Sequence, residues 1–374
     1  MHQDGNLIEA ARLYEQILQV DPKDVDVLLL SGTLAHQTGD NQIAIELISK
    51  ALSIKPNYAK AHFYLGIAFE GSGQLEKAIQ SYQKALPINP KDEKIRDSLK
   101  NTLNDLGNIC RNQGRFEEAI RLYREALSIE PNHDISLNNL GIVKRDQGKL
   151  EEALTSYQRA LSINPDFAEA YANLGQVYKD QGKLEEALTS CRRALSINPD
   201  LSDVHTVLIF IQDFLPDTNL EKQQLERQKW NQRFILPLCN QHQSYSNQAD
   251  PDRPLRIGYV SADFRRHSAA IGFADLILNY DKKHFQVYCY SGVEKHREDA
   301  TTICLQQNAS GWCPTKGLKD IDLVEQIRND KIDILVDLSG HTAGNRLLTF
   351  GYKPAPIQVA GIGHSSPGLS TIDY

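Results

Sequence analysis

The chain has 374 residues, of which 41% are hydrophobic and 24% charged, enough apolar material for more than one folded unit. Its formal charge of −7 and pI near 5.9 argue against a protein devoted to nucleic acid or to an anionic membrane surface. Apolar runs such as VLIFI and IDILV fall far below the roughly 18 residues a membrane span needs, and the N-terminus MHQDGNLIEA has no secretory-signal pattern.

Residues 1–24 show Gly5, Ala10, Tyr14 and Pro22 at the offsets of the second helix of a helix-pair repeat, so the chain begins in mid-repeat. Five full units follow at 25–58, 59–92, 100–133, 134–167 and 168–201, with a period of 34 residues. Glycines recur at 32, 66, 107, 141 and 175, alanines at 44, 78, 119, 153 and 187, and prolines at 56, 90, 131, 165 and 199. This is the tetratricopeptide pattern: small residues let two antiparallel helices approach, and the proline ends the second helix. Seven residues, EKIRDSL at 93–99, widen one interval from 34 to 41 and predict a lengthened helix or a local shift of the superhelix.

The core offset of the second helix is filled by Tyr14, Ile48, Tyr82, Tyr123, Tyr157 and Cys191. Asn139 and Asn173 sit at the sixth position of their units, where an amide can donate to and accept from a peptide backbone; solvated asparagines on a helix are the plainer alternative. Asp105, Tyr64 and Leu30 hold that position elsewhere, so any such ladder is short.

From 202 to 253 the period is lost; LSDVHTVLIFIQDFL and LEKQQLERQKWNQRFILPL still read as helices, and the stretch is assigned as a helical linker. Beyond it, 254–374 alternates β-rich runs at 255–261, 285–291, 332–338 and 357–363 with helical segments at 297–308 and 320–329, which predicts a parallel sheet. The expected fold is an α-solenoid, the tetratricopeptide superhelix, followed by an α/β Rossmann-like lobe.

In open parallel sheets ligands bind beyond the carboxyl ends of the strands, and three of these four strands are followed there by a histidine: His267, His341 and His364. Glycines 340, 344, 361, 363 and 368 around them permit close approach of a ligand. No H-x-H or H-E-x-x-H spacing supports zinc, no G-x-S-x-G elbow supports a serine hydrolase, and no metal site is assigned. The cysteines (Cys110, Cys191, Cys239, Cys289, Cys304 and Cys313) form no C-x-x-C pair, which fits a reducing, cytoplasmic setting.

The blocks RQKWNQRF, PLRIGYVSADFRRH, KIDILVDLSGHTAGNRL and KPAPIQVAGIGHSSPGLSTIDY, in this order behind the repeats, resemble the bacterial O-GlcNAc transferases and SPINDLY-type protein O-glycosyltransferases. The resemblance implies a GT-B enzyme that moves a sugar, GlcNAc from UDP-GlcNAc or fucose in related enzymes, to Ser or Thr hydroxyls of proteins held by the repeats. Transfer would be inverting, with no required metal and no cofactor beyond the nucleotide-sugar substrate; neither nucleic acid nor membrane is an expected partner. It further implies that His267 and His341 are catalytic, that Thr342, Gly363, His364 and Gly368 contact substrate or donor, and that Asn139 and Asn173 face a peptide groove. The GHSSPG loop departs from the family in its Ser-Pro. On the same resemblance 254–374 is the N-terminal lobe alone, the chain is cut at both ends, and little transfer is expected without the donor-binding second lobe. A repeat scaffold carrying a vestigial transferase lobe is the alternative.

Overall fold

A computed structural model describes residues 7–216, 218–361 and 367–374. The chain divides into two compact units, one up to Val177 and one from Tyr178.

The first unit is built from helix pairs. The half-repeat is the helix Leu7–Val20, and the first four full units give Val25–Gln37 with Asn41–Ile54, Ala59–Gly71 with Leu75–Ile88, Glu93–Asn112 with Phe116–Ile129, and Asp134–Asp146 with Leu150–Ile163. The repeated glycine earns its place inside the pair: a Cβ on Gly107 would stand 2.5 Å from Cε1 of Tyr123, and one on Gly141 2.6 Å from that of Tyr157. The aromatic ring of the second helix therefore fills the space the first leaves open, and Tyr82, Tyr123, Tyr157 and Ile48 are fully buried. Tyr14, at the same offset in the half-repeat, stays partly exposed. EKIRDSL lengthens a helix, which runs 20 residues from Glu93 to Asn112 and buries Ile95 and Leu99.

The second unit carries a five-stranded, all-parallel sheet of order β3-β2-β1-β4-β5. Its strands are β1 (Leu255–Ser261), β2 (Phe285–Ser291), β3 (Gly311–Pro314), β4 (Ile334–Asp337) and β5 (Ile357–Ala360). Alternate residues go to opposite faces: Tyr259, Val287 and Cys289 join one core cluster, Val260, Tyr290 and Leu335 the other. The connecting helices are Ser268–Leu278, Ala300–Asn308, Asp320–Asn329 and Leu347–Gly351.

Several sequence expectations change here. The run at 332–338 pairs only over Ile334–Asp337, and that at 357–363 only over Ile357–Ala360, with 362–363 outside the described residues. The helix placed at 297–308 begins at Ala300, capped by Asp299, whose carboxylate accepts the Thr302 amide at 3.0 Å. β3 was not expected: GWCP is four residues long and ends in proline, which an edge strand tolerates. The segment read as a linker supplies Trp230 and Ile235, 1% and 0% exposed, to the same core as Val260 and Leu335. Among the described residues no helix is long and apolar enough to cross a membrane.

Candidate functional site

The strand order reverses between β1 and β4, and the loops leaving their carboxyl ends diverge there into a crevice. A cavity of about 860 Å³ occupies it. Its lining includes His267 after β1, Gly292 after β2 and Ser339 to Gly344 after β4. The β1 and β4 loops come close enough that a Cβ on Gly344, at φ +79°, would stand 3.0 Å from Cβ of Ala262.

His267 caps the helix Ser268–Leu278, its Nδ1 accepting the Ala269 amide at 3.3 Å, and the same nitrogen lies 3.6 Å from Asp263 Oδ1. These two neighbours call for opposite tautomers. A proton on Nδ1 turned toward Asp263 leaves Nε2 with the lone pair and a proton-accepting role.

His341 is different. Its residue is 7% exposed, its ring meets Trp230 edge-on at 5.1 Å, and Nε2 lies 2.9 Å from the Pro367 carbonyl. A carbonyl only accepts, so Nε2 carries the proton and Nδ1 the lone pair; among the described residues Nδ1 has no partner. Burial is the main cause that pushes its pKa down to about 4, so the ring is neutral at physiological pH. That environment suits a hydrogen-bonding wall of the cavity better than a proton shuttle.

The turn between them is built by Asp337, the last residue of β4. Its carboxylate accepts the amides of Ser339 at 3.1 Å and Gly340 at 2.8 Å, and burial pushes its pKa up to about 6. Thr342 closes the turn, its Oγ1 donating to the Ser339 carbonyl at 2.9 Å. Gly368, at φ +74°, is no part of the cavity lining: a Cβ there would meet Arg227 Cβ at 2.8 Å, so it is a packing position. Gly363 and His364 lie outside the described residues.

Residues that strand-end reasoning missed come from the helices Ser202–Phe214 and Leu220–Trp230. Arg227, itself buried, donates to the half-buried Asp213 at 2.6 Å on the cavity wall, and Phe210 and Phe214 line it beside them. The available signal was Arg227 within RQKWNQRF, together with the i, i+4 spacing of the two phenylalanines.

In the first unit Asn139 is buried, its Nδ2 3.4 Å from Asn104 Oδ1, and Asn173 Nδ2 donates to Asn138 Oδ1 at 3.0 Å. The amides thus link successive repeats to one another. Their remaining donor and acceptor capacity is what a peptide could use.

Residues 235–374 match the family model of glycosyl transferase family 41. Tetratricopeptide models match 59–92, 101–133 and 168–201, and another matches 3–59. A probable UDP-N-acetylglucosamine–peptide N-acetylglucosaminyltransferase SPINDLY of Oryza sativa is 40% identical over 151 residues, 39% of this chain and 16% of its own length. The UDP-N-acetylglucosamine–peptide N-acetylglucosaminyltransferase of Caenorhabditis elegans is 30% identical over 125 residues, 32% of this chain and 10% of its own. Among solved structures an O-GlcNAc transferase of Thermobaculum terrenum aligns with TM-score 0.67 and 30% identity, over 75% of this chain and 53% of that one. The chain thus spans a small part of the length of these curated relatives and about half of the solved neighbour.

Proposed function

We propose that this chain, a glycosyl transferase family 41 segment behind tetratricopeptide repeats, is part of a protein O-glycosyltransferase that moves GlcNAc from UDP-GlcNAc to Ser or Thr hydroxyls. The observation that carries the reading is the cavity at the β1/β4 switch point, whose strand-end lining, including His267, His341 and Thr342, falls within the family-41 match. In the proposed reaction the acceptor oxygen bonds to the anomeric carbon, the bond from that carbon to the diphosphate breaks with inversion, and UDP leaves. His267 takes the hydroxyl proton, while neutral His341 and the Ser339–Thr342 turn hold polar groups of the substrates. No metal or further cofactor enters the scheme, the repeats recruit the protein acceptor, and the setting is cytoplasmic.

The test uses the protein at its natural length, incubated with UDP-GlcNAc or a fucose donor and a serine-rich acceptor protein. Transfer of GlcNAc and slow UDP-GlcNAc hydrolysis are expected. A protein that neither binds nor hydrolyses UDP-GlcNAc is no such transferase, and the repeat-scaffold reading then takes its place.

A further inference from the structure

The cavity has a second wall whose chemistry the sugar does not explain. Val207, Phe210 and Phe214 follow one another at helical spacing along Ser202–Phe214 and all line it. The two rings are in contact, tilted by 49° with 4.8 Å between centroids, yet Phe214 remains 52% exposed. Buried Val293 and Leu338 line the cavity too, so its apolar surface is more than one stray side chain. Beside this shelf Lys179 places its Nζ 5.9 Å from the centre of the Phe210 ring. Of the cations around the cavity, Arg227, Arg265 and Lys316 each have a carboxylate, Asp213, Asp263 and Glu294 at 2.6, 3.5 and 2.7 Å. Lys179 and Arg297, which also lines the cavity, have none among the described residues, and of these two Lys179 is the one beside the shelf.

We propose that the Phe210–Phe214 shelf and Lys179 form a subsite for the acceptor protein, one that takes an aromatic or branched aliphatic side chain next to an acidic one. This rests on the transferase reading for its role but not for its chemistry. The occupant follows from position and charge. Lys179 lies in the last turn of the helix Ala168–Asp180, the shelf helix packs on the helix Leu184–Ile197, and Lys179 and these last two helices belong to the compact unit that begins at Tyr178. A segment whose acidic side chain pairs with Lys179 therefore lies next to the shelf, because the ammonium is 5.9 Å from the centre of the Phe210 ring. An unneutralised ammonium over an apolar platform complements an apolar–acidic pair, whereas the neutral sugar of the donor would leave both unused and its diphosphate would engage the ammonium alone.

Fluorescence anisotropy on the 374-residue chain tests this without requiring turnover. Four labelled serine-centred peptides would carry Gly-Gly, Phe-Gly, Gly-Glu or Phe-Glu beside the serine. Phe-Glu is expected to bind about tenfold tighter than Gly-Gly, the scale of one buried apolar side chain with a charge pair. Phe214→Ser should remove the gain from Phe, Phe214→Leu should retain most of it, and Lys179→Met should remove only the gain from Glu. Unchanged circular dichroism of Phe214→Ser establishes that the loss is local. Equal binding of all four peptides, or a shelf that responds to UDP and not to peptide, overturns the proposal while leaving the transferase reading intact. Selective peptide binding in a protein that fails to use UDP-GlcNAc upholds the subsite and sinks the transferase instead.

Discussion

At the scale of single residues the two histidines of the cavity are set apart by their surroundings. His267 keeps a solvent-accessible ring with Asp263 3.6 Å from Nδ1, so Asp263→Asn should disfavour the tautomer that leaves Nε2 free. In the natural-length enzyme His267→Ala is expected to lower turnover by roughly a hundredfold or more, with Asp263→Asn losing part of that. Peptide affinity should change little in either variant; equal losses in turnover and affinity would make His267 structural. His341 and Asp337 make a second, opposed pair. His341 is held below the ordinary histidine value, to about 4, so the stability of its neutral burial is lost as pH falls from 6.5 toward 4. Asp337 is held above the ordinary carboxylate value, to about 6, so its contribution is present at low pH and lost as pH rises through 6. Each amounts to about 3 kcal/mol. Urea unfolding followed by tryptophan fluorescence should show Asp337→Asn losing stability from pH 6.5 to 4 and His341→Gln losing it from pH 4 to 6. Parallel slopes in the two variants would mean that neither group titrates in the folded state as described. His267 and His341 were legible because strand-end chemistry is local in sequence. The burial that separates them was not, since it depends on Trp230, 111 residues before His341, and on Pro367, 26 residues after it.

At the scale of elements, what repeats or alternates is what the sequence disclosed. Each repeat pair is closed by contacts within 34 residues, so Gly107 and Tyr123 announce their packing by period alone. The helix Ser268–Leu278 reads SAAIGFADLIL, apolar almost all round, and gives no face to recognise; β3 is too short to alternate. The helices taken as a linker were misjudged because the surface they cover is formed by residues up to 369. Two glycines in the repeats separate packing from backbone freedom. Gly107→Leu drives a side chain into the Tyr123 ring and is expected to cost about 3 kcal/mol. Gly148→Ala has open space around its Cβ but must keep φ near +76°, so about 1 kcal/mol is expected. Thermal unfolding followed by far-ultraviolet circular dichroism ranks the two, and a larger loss for Gly148→Ala would contradict the interlock of glycine and tyrosine.

For the whole molecule the two compact units invite the question of whether they melt together. Both tryptophans, Trp230 and Trp312, belong to the unit from Tyr178 onward, and each sits in or against one of its two core clusters. Tryptophan fluorescence therefore reports on that unit alone, whereas the helical signal includes the repeats. The division falls inside the helix Ala168–Asp180 and not in a flexible linker, which favours some coupling, but each unit has its own buried core. Cores that share few residues lose stability separately. Gly107→Leu should therefore lower the midpoint seen by circular dichroism by several degrees, the shift that about 3 kcal/mol gives in a unit of this size. The fluorescence midpoint should move by only about a degree. Midpoints that fall together would show that the repeat array and the α/β unit form one cooperative body, with damage in the array felt at the cavity.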